Sequence, residues 1–325
     1  MKKAFNILGL LPFLLIPYFI FVHPAVIYYN TVNYDDLSLR DGKLALFYLA
    51  LSILLWLIVF GISFYFIYRG GFMAKRNIRY LETYGTRVSA VIKEIKNVKL
   101  FSGKWETKDL ILELKNFSHE TILHKMTIND SRPQEKRFIK GKIIYLRVDP
   151  SFTKNPYVTL ENIKSRINYK LYLIAGFLLA AVIYYYYYAY QHENGGYGWR
   201  FMELSHPLLL SPAIMLFFNG IIYLIVRTFI FNKLSPKEQL QLKFKGVRTK
   251  AIIEDISQTG TYINEQPQVK FTVQFTDRQG RQHNTSIKSI VSLLDIGKIS
   301  QLKEREIIYL PDDPQTFNFT DEINN

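Results

Sequence analysis

Four uncharged apolar stretches, residues 4–29, 44–68, 171–191 and 207–226, fall into two pairs, and each pair is followed by a longer polar segment with period-two alternation. Every stretch reaches the ~20 apolar residues that a helix needs to cross a ~30 Å hydrocarbon core, where unpaired amides leave few alternatives. Four transmembrane helices in two hairpins are predicted. The first run opens on Met1-Lys2-Lys3, is longer than the core of a cleaved signal, and exits through Val22-His23-Pro24-Ala25, so it reads as a retained anchor. Pro12, Pro17 and Pro24 should bend it by removing backbone donors.

The polar segments read as strands. In the first, Leu110, Leu112 and Leu114 alternate with Ile111 and Glu113, a turn follows near Asn116 to Glu120, and Thr121 to Ile128 returns. In the second, Phe271, Val273 and Phe275 share a face, Thr276 to Arg281 turns, and Gln282 to Ile287 returns. Each segment is expected to form a small antiparallel β-barrel or sandwich of about five or six strands. Short helices over Phe72–Thr83 and Ser235–Phe244 precede them, the second with Ser at N-cap, Pro236 at N1 and Glu238 in the first turn.

Landmarks recur between the two segments. Gly85, Arg87, Ala90, Ile92 and Ile95 match Gly246, Arg248, Ala251, Ile253 and Ile256, and Ile143 to Pro150 aligns with Ile307 to Pro314. The simplest account is one membrane-anchored unit written twice. The predicted fold is a membrane α + β chain: hairpin 1–71, β module 72–168, hairpin 169–231 and β module 232–325. The two glycines mark linker-to-strand junctions where a positive φ or a close backbone approach is expected. The Asp149-Pro150 and Asp313-Pro314 pairs are read as strand stops, since proline donates nothing to a ladder.

Lys and Arg gather outside the hairpins and leave the short loops 30–43 and 192–206 poor in positive charge, which predicts both termini and both modules on the cytoplasmic side. The net charge is +14, and residues 72–168 carry 20 basic against 10 acidic side chains while 231–325 carry 13 against 12. A basic skin beside anionic lipid is the preferred reading, with a lipid bilayer, a protein partner or a second copy as partners and nucleic acid set aside. Tyr184 to Tyr188 are expected to anchor the third helix at an interface, and the glycine-rich loop 192–200 to be an exposed recognition loop.

The opening G-x-R-x-x-A-x-I, the turn with Asp277 and Gly280, and the close Tyr309-Leu310-Pro311-Asp312-Asp313-Pro314 resemble the β modules of a bacterial inner-membrane family of unknown function. That family carries a G-x-x-x-x-A-x-V opening and a Y-x-P-x-x-P close. In the first copy Val148-Asp149-Pro150 keeps one proline and Arg147 replaces the other. The resemblance covers roughly half the chain. It implies a bacterial inner-membrane protein and no established activity.

Zero cysteines remove thiolate chemistry and Cys-ligated metals, and none of the six histidines pairs at a metal-ligand helical spacing. No nucleophile elbow, P-loop or dinucleotide fingerprint appears. The chain is therefore expected to be non-enzymatic, without cofactor or metal, presenting two β modules for protein–protein or membrane-surface interaction as an adaptor or toxin-immunity protein. The alternatives are a channel or transporter subunit, or an anchored enzyme with an unrecognised site. Against a transport path, only Ser52, Ser63, Ser211, Asn219 and His23 interrupt the apolar helices. An interaction or structural motif is assigned to Gly85, Arg87, Ala90, Asp149, Pro150, Gly246, Arg248, Ala251, Tyr309, Pro311 and Pro314.

Overall fold

The computed structural model describes residues 18–98, 106–130, 132–163, 165–225, 227, 234–263, 265–293, 296–299 and 302–324. The chain divides into a helical unit, 1–75 with 166–230, and a β unit, 76–165 with 231–325.

In the helical unit a π-turn, Tyr18–Val22, leads into α1 (His23–Thr31), which holds Pro24 in its first turn, where a missing N–H costs little. Residues 4–17 of the first expected span, with Pro12 and Pro17, lie outside the described residues. Asp41 caps α2 (Gly42–Tyr68) by accepting the Lys43 N–H. A π-turn, Arg69–Met73, separates α2 from α3 (Ala74–Tyr84). Here Gly71 is required: a Cβ would lie 2.7 Å from the Tyr172 hydroxyl, which donates to the Ile67 carbonyl at 3.0 Å. Asn168 caps α4 (Tyr169–Glu193), and α5 (Pro207–Ile225) follows. Among the described residues three helices, Gly42–Tyr84, α4 and α5, are long and apolar enough to cross a membrane. Leu57, Phe177 and Phe217 remain exposed along them, as suits helices that are apolar all round.

The β unit holds two five-stranded antiparallel sheets. The first contains β1 (Thr86–Val98), β2 (Glu106–Lys115), β3 (Thr121–Asp130), β4 (Ile143–Val148) and β5 (Val158–Leu160), in the order β3-β2-β1-β4-β5. The second follows α6 (Pro236–Lys245), which Ser235 and Glu238 open with a capping box. Its strands are β6 (Val247–Ile263), β7 (Gln266–Thr276), β8 (Gln282–Ile290), β9 (Glu304–Leu310) and β10 (Asp313–Phe319), in the order β8-β7-β6-β9-β10. Two short helices, α7 (Ile296–Ile299) and α8 (Thr320–Asn324), complete it.

Pairing in the two sheets keeps one spacing. Ala90 faces Leu114 as Ala251 faces Phe275, Thr86 faces Val148 as Val247 faces Tyr309, and Lys115 faces Thr121 as Thr276 faces Gln282. Both opening strands share a register break, between Ile92 and Glu94 and between Ile253 and Asp255, and β6 has a second between Gln258 and Tyr262. The turns agree too: the Asn116 side-chain oxygen accepts from the N–H of Ser118 and Glu120, and Asp277 accepts from Gln279 and Arg281. His119 and Gly280 hold the corresponding left-handed position, at φ 65° and 80°.

The closing strands differ from the sequence alignment. By pairing, Tyr309 corresponds to buried Val148 and not to Tyr145, so the shared Ile-Ile-Tyr sits three residues out of register. The proline reading also needs revision in the second sheet. Asp149-Pro150 does end β4, but β9 ends at Leu310, and Asp313-Pro314 opens β10, where a strand's first residues tolerate proline.

Alternation places each core. Leu110, Leu112, Leu114 and Ile122 are buried with Ile92 and Leu146 in the first sheet, and Phe271, Val273, Phe275, Ile307 and Tyr309 in the second. One residue crosses over: Phe244, from α6, is fully buried in the core of the first sheet.

Candidate functional site

Two places gather polar side chains that the sequence holds far apart. The first is the junction between the β modules. The last turn of α6 inserts Phe244 among Phe117, His124 and Phe152, with ring centroids 6.3, 5.3 and 6.3 Å away. Backbone bonds fix the depth of that insertion, because the Phe117 N–H donates to the Phe244 carbonyl at 2.9 Å. The Asn116 amide donates to the carbonyls of Lys243 and Gly246 at 3.1 and 2.8 Å, and the Ser118 hydroxyl to that of Lys245 at 2.8 Å. These carbonyls end a helix and need donors from elsewhere. Glu120 receives Arg278 at 3.3 Å, and Arg248 donates to the Thr121 carbonyl.

Burial, with the Lys243 charge beside it, pushes the His124 imidazole down to about 4, and burial pushes the Lys243 ammonium down to about 8. His124 is thus neutral near pH 7 and packs as an aromatic.

The second module fills the equivalent space from within. Arg278 corresponds by register to Phe117, and its N–H donates to the Tyr309 hydroxyl at 2.9 Å instead of to a neighbour's carbonyl. Asp277 corresponds to Asn116 and has no amide to offer; its carboxylate takes Arg281 and His283, each at 2.9 Å. The His283 hydrogen bond, with those from Arg281 and the Gln279 backbone, holds the Asp277 carboxyl well below the usual range.

Most motif residues from the sequence are consumed in such contacts. Gly85 and Gly246 serve a close approach, not a positive φ: each N–H bonds the carbonyl of Leu81 or Leu242, and a Cβ at Gly85 would lie 2.5 Å from that oxygen. Arg87 lies 3.6 Å over the Tyr145 ring and donates to both Glu161 oxygens at 3.0 and 3.1 Å. Ala90 and Ala251 are buried under the sheets. Asp149 accepts from the backbone of Ser151, Thr153 and Lys154, and these bonds hold its carboxyl low although burial alone would raise it. Pro150 and Pro311 are exposed and Pro314 half-buried.

The second place is in the helical unit, and nothing in the spacing announced it. Glu193, at the end of α4, accepts Tyr28 at 3.0 Å and Tyr29 at 2.8 Å, and the Nε2 of His206 stands 3.3 Å away. Tyr28, Glu193 and His206 are all buried. Ser52 and Trp56 of α2 both donate to the Leu208 carbonyl, at 2.7 and 2.9 Å, and Tyr186 meets the Ser52 hydroxyl at 2.5 Å. Two members of the tyrosine run, Tyr185 and Tyr186, therefore face protein, while Tyr184 and Tyr187 stay exposed. Within the loop 192–200, His192, Gly195, Gly196 and Tyr197 are exposed and Glu193 is buried. Among the described residues no group of three or more His, Cys, Asp or Glu side chains is arranged to hold a metal.

No family model matches the chain, and no curated protein matches it. Among solved structures it is similar to one described as a replication protein A heterotrimer bound to ssDNA, at 9% identity and a TM-score of 0.17, over 69% of this chain and 43% of that one. The chain thus spans less than half the length of that relative, and a likeness of this size carries no argument about fold or ligand. The partner set drawn from the sequence, a bilayer and protein with nucleic acid set aside, is not confirmed by a comparison with a chain solved with ssDNA, and the exclusion of nucleic acid is withdrawn.

Proposed function

We propose that this is a non-enzymatic membrane protein whose helices anchor two β modules that act together as one protein-binding platform. The observation that carries the reading is Phe244, a residue of the helix leading into the second module, buried in the core of the first. Two modules tethered as independent beads would have no need of a shared core, whereas a composite surface needs a fixed relation between them. The matched strand order and register support a duplication of one ancestral unit. Four spans, both modules on the cytoplasmic side and membership of the bacterial inner-membrane family form the finer part of the proposal.

Photo-crosslinking in cells tests it, with the reactive residue placed at exposed Ile143 in the first module and at exposed Tyr262 in the second. One and the same protein should be captured from both, and Phe244→Ala should abolish both captures. Capture from one module alone, indifferent to Phe244→Ala, contradicts the reading.

The channel or transporter alternative draws support from the buried Glu193 and His206, since ionisable groups between apolar helices often mark a path. Proteoliposomes that stay impermeable to protons and small ions would remove it.

A further inference from the structure

Glu193 is a buried carboxylate to which the platform reading gives no work, and its surroundings are arranged for two protonation states. Oε1 accepts the Tyr29 hydroxyl at 2.8 Å, Oε2 accepts the Tyr28 hydroxyl at 3.0 Å, and His206 Nε2 is 3.3 Å from Oε2. Two hydroxyls donating to one carboxyl define it as the acceptor, hence ionised in the geometry described. His206 is fixed as to tautomer: its Nδ1 accepts the Leu208 N–H at 3.1 Å as α5 begins, so the ring proton sits on Nε2 and faces Glu193. Nδ1 is thereby engaged as an acceptor, and Glu193 is the group of the cluster with two hydroxyl donors turned to it.

Both tyrosines have somewhere else to turn. The Tyr28 hydroxyl lies 3.2 Å from the Phe201 carbonyl, and the Tyr29 hydroxyl 3.2 Å from that of Tyr185. Once Glu193 carries a proton, its O–H donates to one tyrosine oxygen, and that hydroxyl turns its own proton to the second acceptor. No donor is left stranded in either state, which is the usual failure of a buried carboxyl that titrates. Tyr29 is 43% exposed and joins the buried carboxyl to the surface. The other ionisable groups near it are Tyr34, Tyr188 and Glu203, and Glu203 is held by Arg40 at 3.0 Å.

We infer that Glu193, with Tyr28, Tyr29 and His206, forms a proton-binding site that sets how tightly α1 is tied to α4. In the ionised state both tyrosines of α1 donate charge-assisted bonds to the last residue of α4; in the protonated state Tyr28 accepts from Glu193 and donates to the Phe201 carbonyl, and the two ties become the weaker neutral kind. The proton comes from solvent and adds to the carboxylate, with no other reactant. The site is independent of which partner the β modules bind.

Infrared difference spectroscopy on the full-length protein in nanodiscs, acidified stepwise from neutral pH, tests the inference. Acidification should produce a protonated-carboxyl band that Glu193→Gln abolishes, together with a tyrosine hydroxyl change that Tyr28→Phe abolishes. Absence of any Glu193-dependent band overturns the site, and so does a band with no tyrosine change beside it. If Glu193→Gln does not fold, the Tyr28→Phe and Tyr29→Phe proteins decide: the carboxyl band must persist in both while the tyrosine change is lost or halved, and an unaltered tyrosine signal overturns the proposal.

Discussion

Single atoms account for the conserved look of the two module openings. At Gly85 a methyl group would sit 2.5 Å from the Leu81 carbonyl, and at Gly246 it would meet both the Leu242 carbonyl and the buried Ile308 side chain. Backbone cannot retreat as a side-chain tip can. Gly85→Ala and Gly246→Ala should each cost about 1–3 kcal/mol, as overpacking does, with Gly246→Ala the worse, read from denaturant midpoints of the purified protein. His124 gives a pH test. Its native imidazole, held down to about 4, refuses a proton that the unfolded chain accepts from about 6.5 downward. Where the unfolded state binds more protons, stability rises with pH, so it should fall by up to about 3 kcal/mol as the pH drops through that window. His124→Leu should remove this component from the stability profile and leave it unchanged above pH ~7.

At the scale of elements, the junction depends on α6 being a helix that ends where it does. Ser235 and Glu238 close its first turn reciprocally, so Ser235→Ala should cost about 1 kcal/mol. Asn116→Asp is expected to cost more, because an aspartate cannot donate to the Lys243 and Gly246 carbonyls and would bring a charge into a buried place. Thermal unfolding monitored by circular dichroism separates the two. The same elements mark what the sequence makes legible. Period-two alternation exposes Leu110-Leu112-Leu114 and Phe271-Val273-Phe275 as core faces, and Ser-Pro-x-Glu exposes the start of α6, since both signals are local. Tyr309 was misread because its motif neighbours, Ile307 and Ile308, matched a strand of the first copy three residues out of register. Only the ladder with Val247 reveals that its ring replaces Val148 and its hydroxyl replaces a carbonyl of the next helix. Glu193 and His206 were invisible for a related reason: tyrosines more than 160 positions away complete the cluster.

For the whole molecule, the two modules differ in how they close. The first is completed by Phe244 from the second; the second completes itself with Tyr309 and pairs Asp277 with its own His283 and Arg281.

Hydrogen exchange on the full-length protein in detergent, compared with Phe244→Ala, addresses the shared core most directly. Truncating a buried Phe removes about 3–5 kcal/mol, and the loss should appear in the module that Phe244 enters, not the one it precedes. Amides of β2 and β3 should lose protection while those of β7 keep theirs. Unchanged protection in β2 and β3 would contradict a common core and, with it, the single platform.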